Sequence, residues 1–237
     1  MNRLVLMVLR NITKVPGAWT KLCRYAKNRE AYPEAEIYGH IQYILQLAVN
    51  SCNLDLKVYG KENIPAENGF LLVGNHQGLF DVVAVVANCD NPMGGVYKIE
   101  IKDVPFVKQI AAATNSFAMD RDDVRQSLEV MQKVTKELQA GRNYIIFPEG
   151  TRSRNGNVMG EFHGGSFRCA VKAKAPIVPF AVIDTHKVLD EKGSAPLTAQ
   201  LHFLQPIPYE EYKTLKTTEI AAMVKERIQA VIDEYAN

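Results

Sequence analysis

The stretch "FLLVGNHQGLFDVVAVVA", Phe70 to Ala87, decides the fold. "FLLVG" is a short continuous apolar run suited to a buried strand, Gly78 frees a turn, and "LFDVVAVVA" has the character of a helix. A strand feeding a helix is the repeating unit of α/β domains, and the alternation continues along the chain. Strands are expected at 56–59, 70–74, 94–97, 115–119, 143–147, 177–183 and 199–204, and helices at 79–88, 104–113, 122–139, 165–174 and 217–235. The 122–139 segment places Val124, Leu128, Met131, Val134 and Leu138 on one face, with Asp122 or Asp123 available as N-cap. The fold class is therefore α/β with a largely buried sheet.

Of the 237 residues, 47% are hydrophobic and 23% charged, ordinary values for a folded domain with a sizeable core. The only boundary worth drawing falls near residue 55, dividing 1–55 from a domain at 56–237. A net charge of +2 does not suggest a nucleic-acid binder. Cys23, Cys52, Cys89 and Cys169 are scattered without a Cys-x-x-Cys pair, which argues against zinc and disulfides and fits a reducing compartment. Buried free thiols are expected. His40, His186 and His202 lack ligand-like spacing, so no metal is assigned.

No uncharged apolar stretch reaches the roughly 18–20 residues needed to span a bilayer. "LVLMVL" is cut short by Arg10, too early for a signal-peptide core, so neither export nor a transmembrane span is expected, and the sequon at Asn11 is treated as chance. Residues 1–29 nevertheless carry seven Lys or Arg and no acid. They set Leu4, Leu9, Ile12, Val15, Trp19 and Leu22 among those cations, with Pro16–Gly17 as a break. A second helical segment runs from about Glu34 to Cys52. Basic charge, a tryptophan and an apolar stripe suit an interfacial helix pair on anionic lipid. A hairpin packed on the main domain, its charges merely solvated, is the alternative.

His76 and Asp81 lie five positions apart. On an ideal helix that spacing separates two side chains by about 140°. They meet if His76 ends a strand-to-loop segment and Asp81 stands in the first turn of the next helix. Asp81 then accepts from the imidazole, fixes its tautomer and stabilises the imidazolium. A second element, "IIFPEGTRS" (Ile145–Ser153), delivers Glu149, Gly150, Thr151 and Arg152 to a strand's C-terminal edge, where α/β folds bind ligands. An arginine there suits a phosphate, unless Glu149 and Arg152 simply pair with each other. Arg121 in "NSFAMDR" and Lys98 in "GGVYK" also follow candidate strands, and basic residues at three strand ends suggest an anion site.

Four blocks in order, "NHQGLFD", "KIEIKDVPF…FAMDR", "FPEGTRS" and "PIVPF", resemble the glycerolipid acyltransferases, in particular the bacterial 1-acylglycerol-3-phosphate acyltransferases. The resemblance covers roughly residues 56–185. It implies an αβ fold with a buried mixed sheet, preceded by an N-terminal two-helix membrane-interface element at 1–55. It implies that the nucleophile is the substrate's own hydroxyl, with His76 as general base and Asp81 holding the imidazole. The acceptor would be lysophosphatidic acid, its phosphate bound by Lys98, Arg121, Arg152 and the Glu149–Gly150–Thr151 block. The donor would be acyl carrier protein or acyl-coenzyme A, with no metal or bound cofactor. The expected location is the cytoplasmic face of the cell membrane, peripheral, on an anionic surface. Two positions depart from the pattern: His163 stands where a lysine is common, and Lys108 where a glycine often follows Pro-Phe-x.

Overall fold

A computed structural model describes residues 3–236, so Met1, Asn2 and Asn237 lie outside the described residues. One sheet contains β1 (Leu54–Tyr59), β2 (Leu71–Gly74), β3 (Met93–Lys98), β4 (Phe117–Met119), β5 (Asn143–Ile146), β6 (Ile177–Ile183) and β7 (Leu197–Phe203). Their order is β1-β7-β6-β2-β5-β3-β4. The five strands from β6 to β4 are parallel, whereas β7 runs antiparallel to β6 and carries β1 parallel to itself. The sheet is mixed, and all seven expected strands are present within two residues at each end. Because β2, β5, β3 and β4 share a direction, their C-terminal ends lie along one edge.

The helices longer than four residues are α1 (Arg3–Arg10), α2 (Val15–Lys27), α3 (Glu34–Ser51), α4 (Phe80–Asn88), α5 (Val107–Thr114), α6 (Val124–Gln139), α7 (Arg168–Ala173) and a C-terminal helix, Thr217–Tyr235. They cover both faces of the sheet. Successive strand residues point to opposite faces, so Leu72, Val178, Phe180 and Val182 join the cluster under α2, α3 and α4. Leu71, Val73, Ile177, Ala181 and Ile183 join the one under α6, α7 and the C-terminal helix. Burial on both faces explains why β2 and β6 are continuous apolar runs.

The first helical segment is interrupted, but not at Pro16–Gly17 as expected. The break falls at Asn11–Lys14, and Pro16 stands in the first turn of α2, where its missing N–H costs nothing. Asn11 is buried, its amide donating to Met7 O and Leu47 O, so its side chain is committed to the fold. Arg10 donates to Ser51 O and Asn53 Oδ1, and buried Arg3 to Lys187 O and Ala195 O. These two cations bind the chain itself, while Leu4, Val5, Val8, Leu9 and Ile12 face outward. Leu22, Tyr25, Ile37, Ile41 and Leu45 of α2 and α3 share one core with α4.

Helix α5 begins three residues later than expected, at Val107. Pro105 disfavours helical backbone at the residue before it, and Phe106 takes φ +78°, an unusual conformation for a residue with a side chain. The expected 165–174 helix is split into a 3₁₀ turn, Gly164–Phe167, and α7. In α6, Asp123 is the cap, accepting from Gln126 N at 3.0 Å. The expected apolar face is buried only from Met131 onward, and Val124 and Leu128 are exposed.

Candidate active site

His76 lies two residues beyond β2, and Asp81 is the second residue of α4, so the strand-loop-helix placement brings the pair together. His76 Nδ1 is 2.7 Å from Asp81 Oδ2. The same oxygen accepts from Gln77 N at 2.6 Å and Gly78 N at 2.9 Å, and Oδ1 accepts from Thr185 Oγ1 at 2.5 Å. Asp81 is fully buried. A buried carboxylate is sustainable when donors surround it, and this one has four. Its charge and the helix N-terminus fix Nδ1 as the protonated imidazole nitrogen, leaving Nε2 as the basic one.

The loop after β5 holds the histidine from the other side. Phe147 stacks on the imidazole with ring centroids 4.2 Å apart, and Phe180 meets Phe147 edge-on. The His76 carbonyl accepts from Ser153 N at 2.7 Å. The His76 backbone N–H donates to Glu149 Oε1 at 2.7 Å, and Gly160 N to Glu149 Oε2 at 2.8 Å. Burial pushes the Glu149 carboxyl up, partly offset by these two N–H groups. Gly74 is required for the close packing here, since a Cβ would lie 2.2 Å from the Phe180 ring.

Glu149, expected with the phosphate-binding residues, has another task. It is buried, both oxygens are taken by backbone donors, and it does not pair with Arg152. Gly150 adopts φ +72°, and a Cβ on it would lie 3.5 Å from His163 Cδ2 and 3.8 Å from Arg121 Cδ. Arg121, Gly150 and His163 therefore meet. Thr151 is exposed and Arg152 half-buried on the same loop. Among the described residues no hydrogen bond or ion pair engages the guanidinium of Arg121 or Arg152, whereas Lys98 pairs with Glu100 at 2.5 Å. Lys98 stands opposite Met119 in the β3–β4 register, two residues before Arg121. The described residues include no cluster of His, Cys, Asp and Glu able to hold a metal.

Chemically, the arrangement can offer a base at Nε2, and among the described residues no hydroxyl or thiol is hydrogen-bonded to the imidazole. The Ser153 hydroxyl donates to Val158 O and that of Thr185 to Asp81. Burial pushes the thiols of Cys89 and Cys169 up to about 11 and about 12. Gln77, Asn157 and Thr185, which brace the pair, are absent from the sequence reading. Gln77 lies within the motif, but nothing in the sequence ties Thr185 to a residue 104 positions earlier.

A family model described as Acyltransferase matches residues 55–183. The 1-acyl-sn-glycerol-3-phosphate acyltransferase of Saccharomyces cerevisiae is 27% identical over 185 residues, covering 76% of this chain and 61% of that protein. The protein of the same name from Salmonella typhimurium is 28% identical over 182 residues, covering 76% and 74%. The chain thus spans less than two thirds of the yeast relative. The crystal structure of a 1-acyl-sn-glycerophosphate acyltransferase from Thermotoga maritima superposes with a TM-score of 0.79 at 20% identity, over 99% of this chain and 97% of that one. That likeness shows the fold, N-terminal helices included. With the family model matching more than half its length, the chain belongs to the Acyltransferase family.

Proposed function

We propose that the chain transfers an acyl group from a thioester, acyl carrier protein or acyl-coenzyme A, to the free sn-2 hydroxyl of 1-acylglycerol 3-phosphate, giving phosphatidic acid. The observation that carries this is His76, its Nδ1 tied to buried Asp81 and its ring hydrogen-bonded, among the described residues, to no hydroxyl or thiol. The names of the relatives above supply the acceptor. Nε2 takes the hydroxyl proton as the oxygen attacks the thioester carbonyl. The C–S bond then breaks, and the departing thiolate takes up the proton. General-base assistance of this kind contributes about 10²–10⁴ in rate. Arg121 and Arg152 bind the acceptor's phosphate through charge-assisted bonds, with Lys98 joining once it leaves Glu100.

Residues 1–55, packed on the rest of the chain through α2 and α3, would supply the membrane-binding face that holds the enzyme peripherally on the cytoplasmic face of the cell membrane. The outward Leu4, Val5, Val8, Leu9 and Ile12 support that role, and Val15 and Trp19 of α2 are also exposed. Lys14, Lys21 and Lys27 would meet anionic lipid, since Arg3 and Arg10 are engaged within the chain. No described helix is long and apolar enough to cross a membrane. The test is an acceptor panel in anionic vesicles: 1-acylglycerol 3-phosphate, glycerol 3-phosphate and 1-acylglycerol. Phosphatidic acid from the first acceptor alone supports the assignment. Acylation of glycerol 3-phosphate instead would transfer the fold to a different acceptor, and no product from any would leave a lipid-binding protein.

A further inference from the structure

We propose that Thr185 is a positioning residue of the transfer reaction, its hydroxyl setting the charge and orientation that Asp81 presents to His76. This rests on the acyl-transfer reading above. Thr185 is fully buried two residues beyond β6, and its Oγ1 lies 2.5 Å from Asp81 Oδ1. Among the described residues it is the sole partner of that oxygen, whereas Oδ2 has three N–H donors. Oγ1 is also 3.1 Å from Gln77 Oε1, but a hydroxyl has one proton, and the shorter contact to the ionised acceptor takes it.

The hydroxyl is aimed by a polar ring. Gln77 Oε1 accepts from Thr185 N at 3.1 Å, and Gln77 Nε2 donates to Asn157 Oδ1 at 2.7 Å. Asn157 Oδ1 also accepts from Asp184 N, and its amide donates back to Asp184 Oδ1, both at 3.0 Å. Asp184 sits at φ +63°, a conformation kept only where the surroundings fix it. The other titratable groups facing the pair are Glu149, on the His76 backbone N–H, and His186, 3.4 Å from Gln77 Oε1. Asp184 pairs with Lys187. None of them bonds Oδ1.

Without the hydroxyl, one oxygen of a buried anion has no donor. The imidazolium then becomes the main stabiliser of Asp81, so His76 holds its proton to higher pH and less of it is free to act as base. Thr185→Val preserves the shape and removes the hydroxyl, whereas Thr185→Ser preserves the hydroxyl and removes a methyl. For the valine variant kcat is expected to fall about tenfold, with the acceptor KM within twofold of wild type. Its acid limb of kcat against pH should move up by about one unit, and serine should restore both. A packing role gives the reverse ranking, because valine fills the site better, and that result would overturn the proposal. A second readout needs no turnover: NMR titration of His76 in the full-length chain, assigned with His76→Gln. An upward shift in the valine variant alone supports the proposal, and no shift, or equal shifts in both, overturns it. A wild type inert on every acceptor would defeat the acyl-transfer reading while the titration still decides on Thr185.

Discussion

Replacing Asp81 by asparagine separates charge from geometry at the pair. The amide oxygen can stand where Oδ2 accepts from Gln77 N and Gly78 N. Its NH₂ then faces the Thr185 oxygen, which can accept and redirect its own proton to Gln77 Oε1, 3.1 Å away. The hydrogen bonds therefore close, and the cost in stability should stay within about 1.5 kcal/mol. What disappears is the charge that stabilises the imidazolium. With a charge separation of about 4 Å and an effective dielectric of about 20, that interaction is worth about 4 kcal/mol, or roughly 10³ in rate. Acyl transfer to 1-acylglycerol 3-phosphate in anionic vesicles gives kcat, and urea unfolding gives the stability control. A folded Asp81→Asn enzyme within tenfold of wild type would refute the electrostatic role. Combining it with His76→Ala should add little further loss, because the two residues act as a unit.

Other perturbations test the surrounding frame. Arg121→Ala and Arg152→Ala should each raise the acceptor KM by about 10–100-fold with kcat little changed, since each would remove one of the proposed charge-assisted contacts to phosphate. Unchanged KM in both would remove the anion site. For Glu149, the folded carboxyl is raised above its unfolded value by burial. Its contribution to stability is thus full below the unfolded pKa and is lost as pH rises through the folded one. Wild type should therefore lose stability relative to Glu149→Gln as pH rises above the ordinary carboxylate range, read as the difference in urea midpoints. A gap that widens in wild type's favour would contradict the sign. Gly74→Ala drives a methyl into Phe180 and should cost about 1–3 kcal/mol or more by the same assay. Val5→Asp with Leu9→Asp should weaken vesicle co-sedimentation while leaving the melting temperature unchanged, because both side chains are already exposed.

The centre of the sheet was legible because β2, β5 and β6 are buried on both faces and read as largely apolar runs between turn residues. The pairing of His76 with Asp81 followed from one helix boundary, placed by Gly78 and the apolar run after it. Periodicity located the buried face of α6 but not where its burial begins, so Val124 and Leu128 emerged exposed. The break in the N-terminal segment was misplaced because Pro16 interrupts a helix only from within, and here it begins one. Charge was equally ambiguous. Arg3 and Arg10 counted toward a lipid-facing set but are drawn inward by main-chain carbonyls supplied by distant residues. Glu149 shared a motif with Arg152, yet the motif does not say which side chain turns inward.

The most direct test of the central claim is transfer of a radiolabelled acyl group to 1-acylglycerol 3-phosphate in anionic vesicles, with wild type and His76→Ala side by side at matched binding. Acyl carrier protein and coenzyme A would each be tried as donor. The account expects labelled phosphatidic acid from wild type and a loss of about 10²–10⁴ in the variant. Equal product from both would mean that His76 and Asp81 are a structural pair and that the proton leaves by another route.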